Sequence, residues 1–158
     1  MSAAVRLLFA ALVVAATPSL AAGTRYALIF ANDRGDPGDV LLRYAEADAN
    51  RLAEVLEDVG GVTPNHLTVV HAATASSVRA AMSKIRKELT DSDDEWLIYV
   101  SGHADEGELH LGGTRLPFDE LADFAKTLPV RLVVTVVDSC SLESPLGSRA
   151  CKSLAARR

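Results

Sequence analysis

The 158 residues are 49% hydrophobic and 23% charged, with 16 Lys and Arg against 21 Asp and Glu and a formal net charge of −5. One globular core fits that length and balance, whereas a disordered, collagenous or disulfide-dense chain does not. The acidic excess argues against a general electrostatic grip on nucleic acid or on an anionic lipid surface.

Residues 1–22 read as a secretory signal peptide. Arg6 is their one basic side chain, residues 7–16 are an unbroken apolar run, and residues 17–22 end in Ala21 and Ala22, small enough for signal peptidase. The run is shorter than the about 20 residues a membrane-spanning helix needs. Residues 23–158 are therefore expected to form one exported domain, periplasmic or extracellular, that meets a membrane only through its leader.

Within that domain the hydrophobic period alternates. Residues 26–31 (YALIFA) are a short continuous apolar run and predict a buried strand, followed by the turn-prone stretch 32–39 (NDRGDPGD). Residues 44–59 carry Ala45, Ala49, Leu52, Val55, Leu56 and Val59 at helical spacing, with Gly60-Gly61 as the stop. Residues 67–70 predict a second strand, and 74–89 a second helix capped near Thr74 to Ser77, with Val78, Ala81, Met82, Ile85 and Leu89 on one face. A third strand is expected at 95–100, a small hairpin through Gly112-Gly113, a third helix at 118–128 and a last, deeply apolar strand at 132–137.

Strands apolar on both faces and separated by amphipathic helices imply a mostly parallel sheet flanked by helices. Ligands then gather beyond the carboxyl ends of the strands, in the loops after Ala31, Val100 and Val137. These hold Asn32-Asp33-Arg34-Gly35, Ser101-Gly102-His103 and Asp138-Ser139-Cys140. If the last two strands are parallel neighbours, His103 and Cys140 meet at one sheet edge. A thiol of ordinary pKa about 8.5 is mostly protonated at neutral pH, and an imidazole that takes its proton makes it a strong nucleophile for acyl transfer. The developing oxyanion needs donors, for which the candidates are the backbone N–H of Cys140 and one from the turn Gly102-His103-Ala104.

The strand-Ser101-Gly102-His103 and strand-Asp138-Ser139-Cys140-Ser141 segments resemble the His and Cys motifs of the caspase and metacaspase superfamily of cysteine peptidases. Ala45-Glu46-Ala47-Asp48-Ala49 is similar to the start of that family's first helix. The resemblance implies a caspase-like three-layer α/β sandwich in which His103 is general base and Cys140 nucleophile. It also implies that Asp138 lines a pocket for Arg or Lys at the cleaved position, with Asp33 or Asp36 contributing second. A carboxylate in a partly desolvated pocket suits a guanidinium through charge-assisted hydrogen bonds. Caspases that prefer Asp use arginines for the opposite purpose, and Arg34 offers that reading.

Three features depart from the family pattern. Ala104 stands where Gly is usual, no Gly follows Cys140 closely, and the chain resembles only the larger, catalytic portion. It is expected to be incomplete at the C-terminus and to take a second chain that completes the sheet. An inactive homologue that binds a peptide or partner is the alternative function. Cys140 and Cys151 also admit a disulfide in an exported chain. No cofactor is expected. His103 to His110 match no familiar metal spacing, and the acidic run 91–95 reads as a solvated loop in which only the likeness to calcium-dependent metacaspases leaves a calcium site open.

Overall fold

The computed structural model describes residues 23–89, 92–105, 107–141 and 150–152, and for residues 140, 141 and 150–152 the backbone course alone. The expected signal peptide lies outside the described residues. The apolar runs become β1 (Arg25–Ala31), β2 (Val62–Val70), β3 (Glu95–Ala104) and β6 (Leu132–Ser141), and the amphipathic stretches become α1 (Ala45–Asp58), α2 (Ala75–Glu88) and α3 (Phe118–Thr127). Three short strands complete the order: β4 (Glu108–Leu111), β5 (Thr114–Pro117) and β7 (Ala150–Lys152).

β3 is central, flanked in parallel by β1 on one side and β6 on the other, with β2 parallel outside β1. β4 joins β3 antiparallel, pairing His103 with His110 and Ala104 with Leu109 beyond the end of β1. β5 follows β4, and β7 lies antiparallel against β6. The β4–β5 turn is Gly112-Gly113, at φ 57° and 76°. Two successive left-handed residues are what a tight turn matched to the strand twist demands, and glycine adopts them without a Cβ penalty.

Both faces of the sheet are covered, which is why the central stretches of β1, β3 and β6 are largely apolar. Leu28, Phe30, Ile98 and Val100 pack with Val78, Met82 and Ile85 of α2 and Leu121 and Phe124 of α3. Ile29, Ala31 and Tyr99 pack on the opposite face against Ala45, Ala49 and Ala53 of α1. Small residues on α1 let that helix lie close to the sheet. α2 begins with a capping box, in which Thr74 Oγ1 accepts from Ser77 N and Ser77 Oγ accepts from Thr74 N. α1 has no side-chain cap of its own; Asp33 Oδ1 from the preceding loop accepts from Glu46 N at 3.2 Å. Among the described residues no helix is long and apolar enough to cross a membrane.

Two strand ends differ from the sequence expectation. His103 and Cys140 sit inside β3 and β6 rather than in loops past Val100 and Val137. The reason is pairing: β4 and β7 supply backbone partners beyond the reach of β1, so each strand continues. β2 also starts earlier than expected, at Val62, through an irregularity of register opposite Arg25 to Ala27. It tolerates Pro64 because β2 pairs with β1 alone among the described strands.

Candidate active site

Alternation along the strands decides which residues share a face at this end of the sheet. In β3, Trp96, Ile98 and Val100 belong to the α2–α3 side, so Tyr99, Ser101 and His103 fall on the α1 side. In β6, Val133 and Val137 are on the first side and Val136 on the second, which puts Asp138 on the α1 side with them. Position 140 continues that alternation, and the Cα atoms of His103 and Cys140 are register partners on adjacent parallel strands. Such strands lie about 4.8 Å apart. The side chain of Cys140 is outside the described set, as is that of Cys151, whose backbone stands opposite Cys140 across β6 and β7.

His103 is 6% exposed, and its Nε2 lies 2.7 Å from the main-chain oxygen of Val40. A carbonyl only accepts, so Nε2 carries the proton and, in the neutral ring, Nδ1 is left as the acceptor. This is the arrangement of a base held by a third group. Val40 was missed by sequence reasoning because a carbonyl has no side-chain signature, and only the turn-prone run 32–39 hinted that the main chain would do something special here.

That run is tied down throughout. Asn32, 4% exposed, donates from Nδ2 to Ala73 O at 2.7 Å and accepts from Arg34 N at 2.8 Å. The main-chain oxygens of Arg34 and Gly35 accept from Gly112 N and Gly113 N, both at 2.9 Å. Gly35 is pressed between functional groups: a Cβ there would collide with Asp39 Oδ2 and stand 2.8 Å from His103 Cδ2. Asp39 Oδ2 accepts from Asp36 N at 2.7 Å and from His110 Nδ1 at 3.0 Å. His110 Nε2 lies 2.9 Å from Asp105 Oδ2, an ion-pair contact set off the ring N–H direction. Arg115 binds Asp36, Asp105 and Glu108.

These contacts shift charges. Burial works to lower the pKa of His110, but its hydrogen bond to Asp39 and its ion-pair contact with Asp105 hold it above the ordinary value. Burial likewise works to raise Asp39, and the bond from His110 holds it below the usual carboxylate range. Asp105 is lowered by its bond to His110.

The residues expected to bind substrate are placed differently from one another. Asp138 is exposed on the α1 side and accepts from the Tyr99 hydroxyl at 3.1 Å. Burial, with Asp138 nearby, pushes Tyr99 up to about 12. Asp33 is occupied by Glu46 N, and both Arg115 bonds to Asp36 engage the same oxygen, Oδ2. Arg34 is exposed and borders an open cleft of about 450 Å³, which Asp36, Asp39 and Leu41 also line. Of the expected oxyanion donors, Gly102 stands in register with Ser139 and Ala104 with Leu109, so both belong to the sheet ladder. In the acidic run, Asp94 accepts from Thr24 N at 3.0 Å and Glu95 pairs with Arg25 and Arg131. Among the described residues no group of three or more His, Cys, Asp or Glu is arranged to hold a metal ion.

A family model of the caspase domain matches residues 24–155. The chain belongs to the caspase domain family. No curated protein matches it. Caspase-1 from Spodoptera frugiperda superposes on this caspase domain with a TM-score of 0.60 at 19% identity, over 75% of this chain and 48% of that one. A structure described as pro-sf-caspase-1 gives 0.61 at 21% identity, over 81% and 57%. Similarity at that identity establishes the fold, a central, mostly parallel sheet between helical layers. The chain spans about half the length of these structures.

Proposed function

We propose that this caspase domain is a cysteine endopeptidase in which Cys140 is the nucleophile and His103 its base. The observation that carries the reading is the register His103↔Cys140 on neighbouring parallel strands, with the His103 ring held by Val40 O. With Nε2 committed to that carbonyl, Nδ1 takes the thiol proton. The Cys140 sulfur then attacks the peptide carbonyl carbon, and Nδ1–H returns its proton to the departing amine, leaving an acyl-enzyme that water hydrolyses. Ala104 N–H and Cys140 N–H are the oxyanion donors in this reading, with Gly102, which has no side chain, leaving room beside them in β3.

Asp138 makes the preference basic. It is the exposed carboxylate on the same face, two positions before the nucleophile, and its bond from Tyr99 fixes its direction. Asp33 and Asp36 contribute through the field they set up around the cleft. The reaction as written uses no cofactor. The protein acts after export, and a second polypeptide completes its sheet.

The test is covalent labelling, under reducing conditions, by an acyloxymethyl ketone carrying Arg next to the reactive carbon. Labelling of the parent that disappears in both Cys140→Ala and His103→Ala is expected. A folded parent that stays unlabelled refutes the peptidase and leaves the same crevice as a peptide- or partner-binding surface.

A further inference from the structure

The two linked histidines suggest more than a base and its carbonyl. His103 and His110 are register partners on antiparallel β3 and β4, so both rings stand on the α1 side. His110 is 7% exposed, yet it faces carboxylates from two separate segments: Asp39 from the loop after β1, and Asp105 from the β3–β4 connection. Asp36 Oδ2 lies 3.8 Å from its Nδ1, and Arg115, across the β4–β5 pair, binds that same oxygen, the Asp105 Oδ2 that meets His110 Nε2, and Glu108. A carboxylate at each nitrogen compensates the burial of the imidazole and ties it to two separate segments.

What it holds is the segment that supplies Val40 O. Asp39 precedes Val40 directly, and the Asp39 carboxylate is fixed between Asp36 N and His110 Nδ1. We propose that His110 is the positioning residue of the site: through Asp39 it clamps the Val40 carbonyl onto His103 Nε2 and so fixes the tautomer and direction of the base. The proposal rests on the peptidase reading for its catalytic meaning, but the clamp itself is a property of the fold. Gly35 belongs to the same device, since only a residue without a Cβ lets Asp39 and His103 approach from its two sides.

The experiment compares the full chain with His110→Gln, which keeps one hydrogen bond but no charge, and with Asp39→Ala, which cuts the link while leaving His110 in place. The first readout is the imidazole nitrogen-15 and proton spectrum of His103, assigned with His103→Gln. In the parent one slowly exchanging proton on Nε2 is expected. In both variants, shown to be folded by their amide spectra, its exchange quickens and the nitrogen shifts move toward a mixture of tautomers. His103 signals that superpose on the parent's in both variants overturn the proposal.

The second readout is turnover of an arginyl peptide substrate. A fall in kcat of about ten- to hundredfold, with KM within about twofold, is the mark of a misdirected base. A rise in KM at unchanged kcat overturns the proposal, because His110 would then act on binding. If the parent turns nothing over, the peptidase reading fails, and the His103 spectrum still decides whether His110 holds the ring.

Discussion

Replacing Asn32 by Ala probes how the loop after β1 is anchored. Asn32 follows the buried carboxyl end of β1, and its amide spans two otherwise unconnected groups, Ala73 O and Arg34 N. Ala73 is completely buried, so in the variant its carbonyl loses the side-chain donor with no water at hand; an orphaned buried group of this kind costs about 1–3 kcal/mol. Arg34 is exposed and its N–H can turn to water, which limits that loss to about 0.5–1.5 kcal/mol. The sum is roughly 1.5–4.5 kcal/mol, a large part of the about 5–15 kcal/mol that holds a domain of ordinary stability together. Urea unfolding of parent and variant at matched slope gives the difference directly. Gly112 packs so closely on Asn32 that an added Cβ would lie 2.8 Å from Nδ2, so Asn32→Ala also removes a support of the β4–β5 turn. A variant within about 0.5 kcal/mol of the parent would refute the reasoning, since a loss that small is what a surface change gives.

Three further outcomes follow from the same geometry. Gly35→Ala keeps the fold but slows Cys140 labelling by about tenfold or more, because the new methyl displaces Asp39 or the His103 ring; equal labelling rates would show that the loop yields without moving the base. Asp138→Asn cuts the preference for arginyl over norleucyl probes by about ten- to hundredfold, the value of one charge-assisted pair, and an unchanged ratio would assign the preference elsewhere. The pH dependence of stability separates two groups. The raised pKa of His110 adds stability that is complete below its unfolded value and is lost as pH rises through the folded one, and His110→Gln should remove that slope. Tyr99 keeps its proton up to about 12, so its protonated form stabilises the fold below pH about 10 and this contribution fades between about 10 and 12. Loss of the high-pH step of the tyrosinate absorbance in Tyr99→Phe checks the assignment.

The layers of the fold were legible because burial on both sides leaves an unmistakable pattern. Residues 26–31 are apolar at every position and 132–137 at all but Thr135, and the helices between them repeat at three and four residues. Gly112-Gly113 announced its turn because few other residue pairs hold two positive φ angles. The boundaries of β3 and β6 were not legible, since Ser101-Gly102-His103 and Asp138-Ser139-Cys140 are polar and read as loop. They are strands because they pair with each other in parallel and because β4 and β7 add partners on their other edges, and the residues themselves carry no trace of such pairing. His103 and Cys140 were identifiable by residue type and position after a strand. The roles of Val40, Asp39 and His110 depend on a loop path that propensity does not encode.

The site's precision therefore comes from two independent constraints. The β3–β6 register sets the distance between the backbones of His103 and Cys140, and it rests on a long parallel ladder with apolar residues on both faces. The rotation of the His103 ring is set instead by a polar mesh of Asp36, Asp39, Asp105, His110 and Arg115, which holds the Val40 segment at the rim of the sheet. The first constraint is apolar and indifferent to pH, whereas the second is ionic and depends on the protonation of His110. Mutations in the sheet core should thus lower stability while leaving the pH profile of thiol reactivity in place, and mutations in the mesh should alter that profile whatever they cost in stability. A core substitution such as Ile98→Ala, at a completely buried position, is expected to cost about 2–5 kcal/mol. If it also moved the pH profile of Cys140 labelling, register and ring orientation would be a single coupled property rather than two.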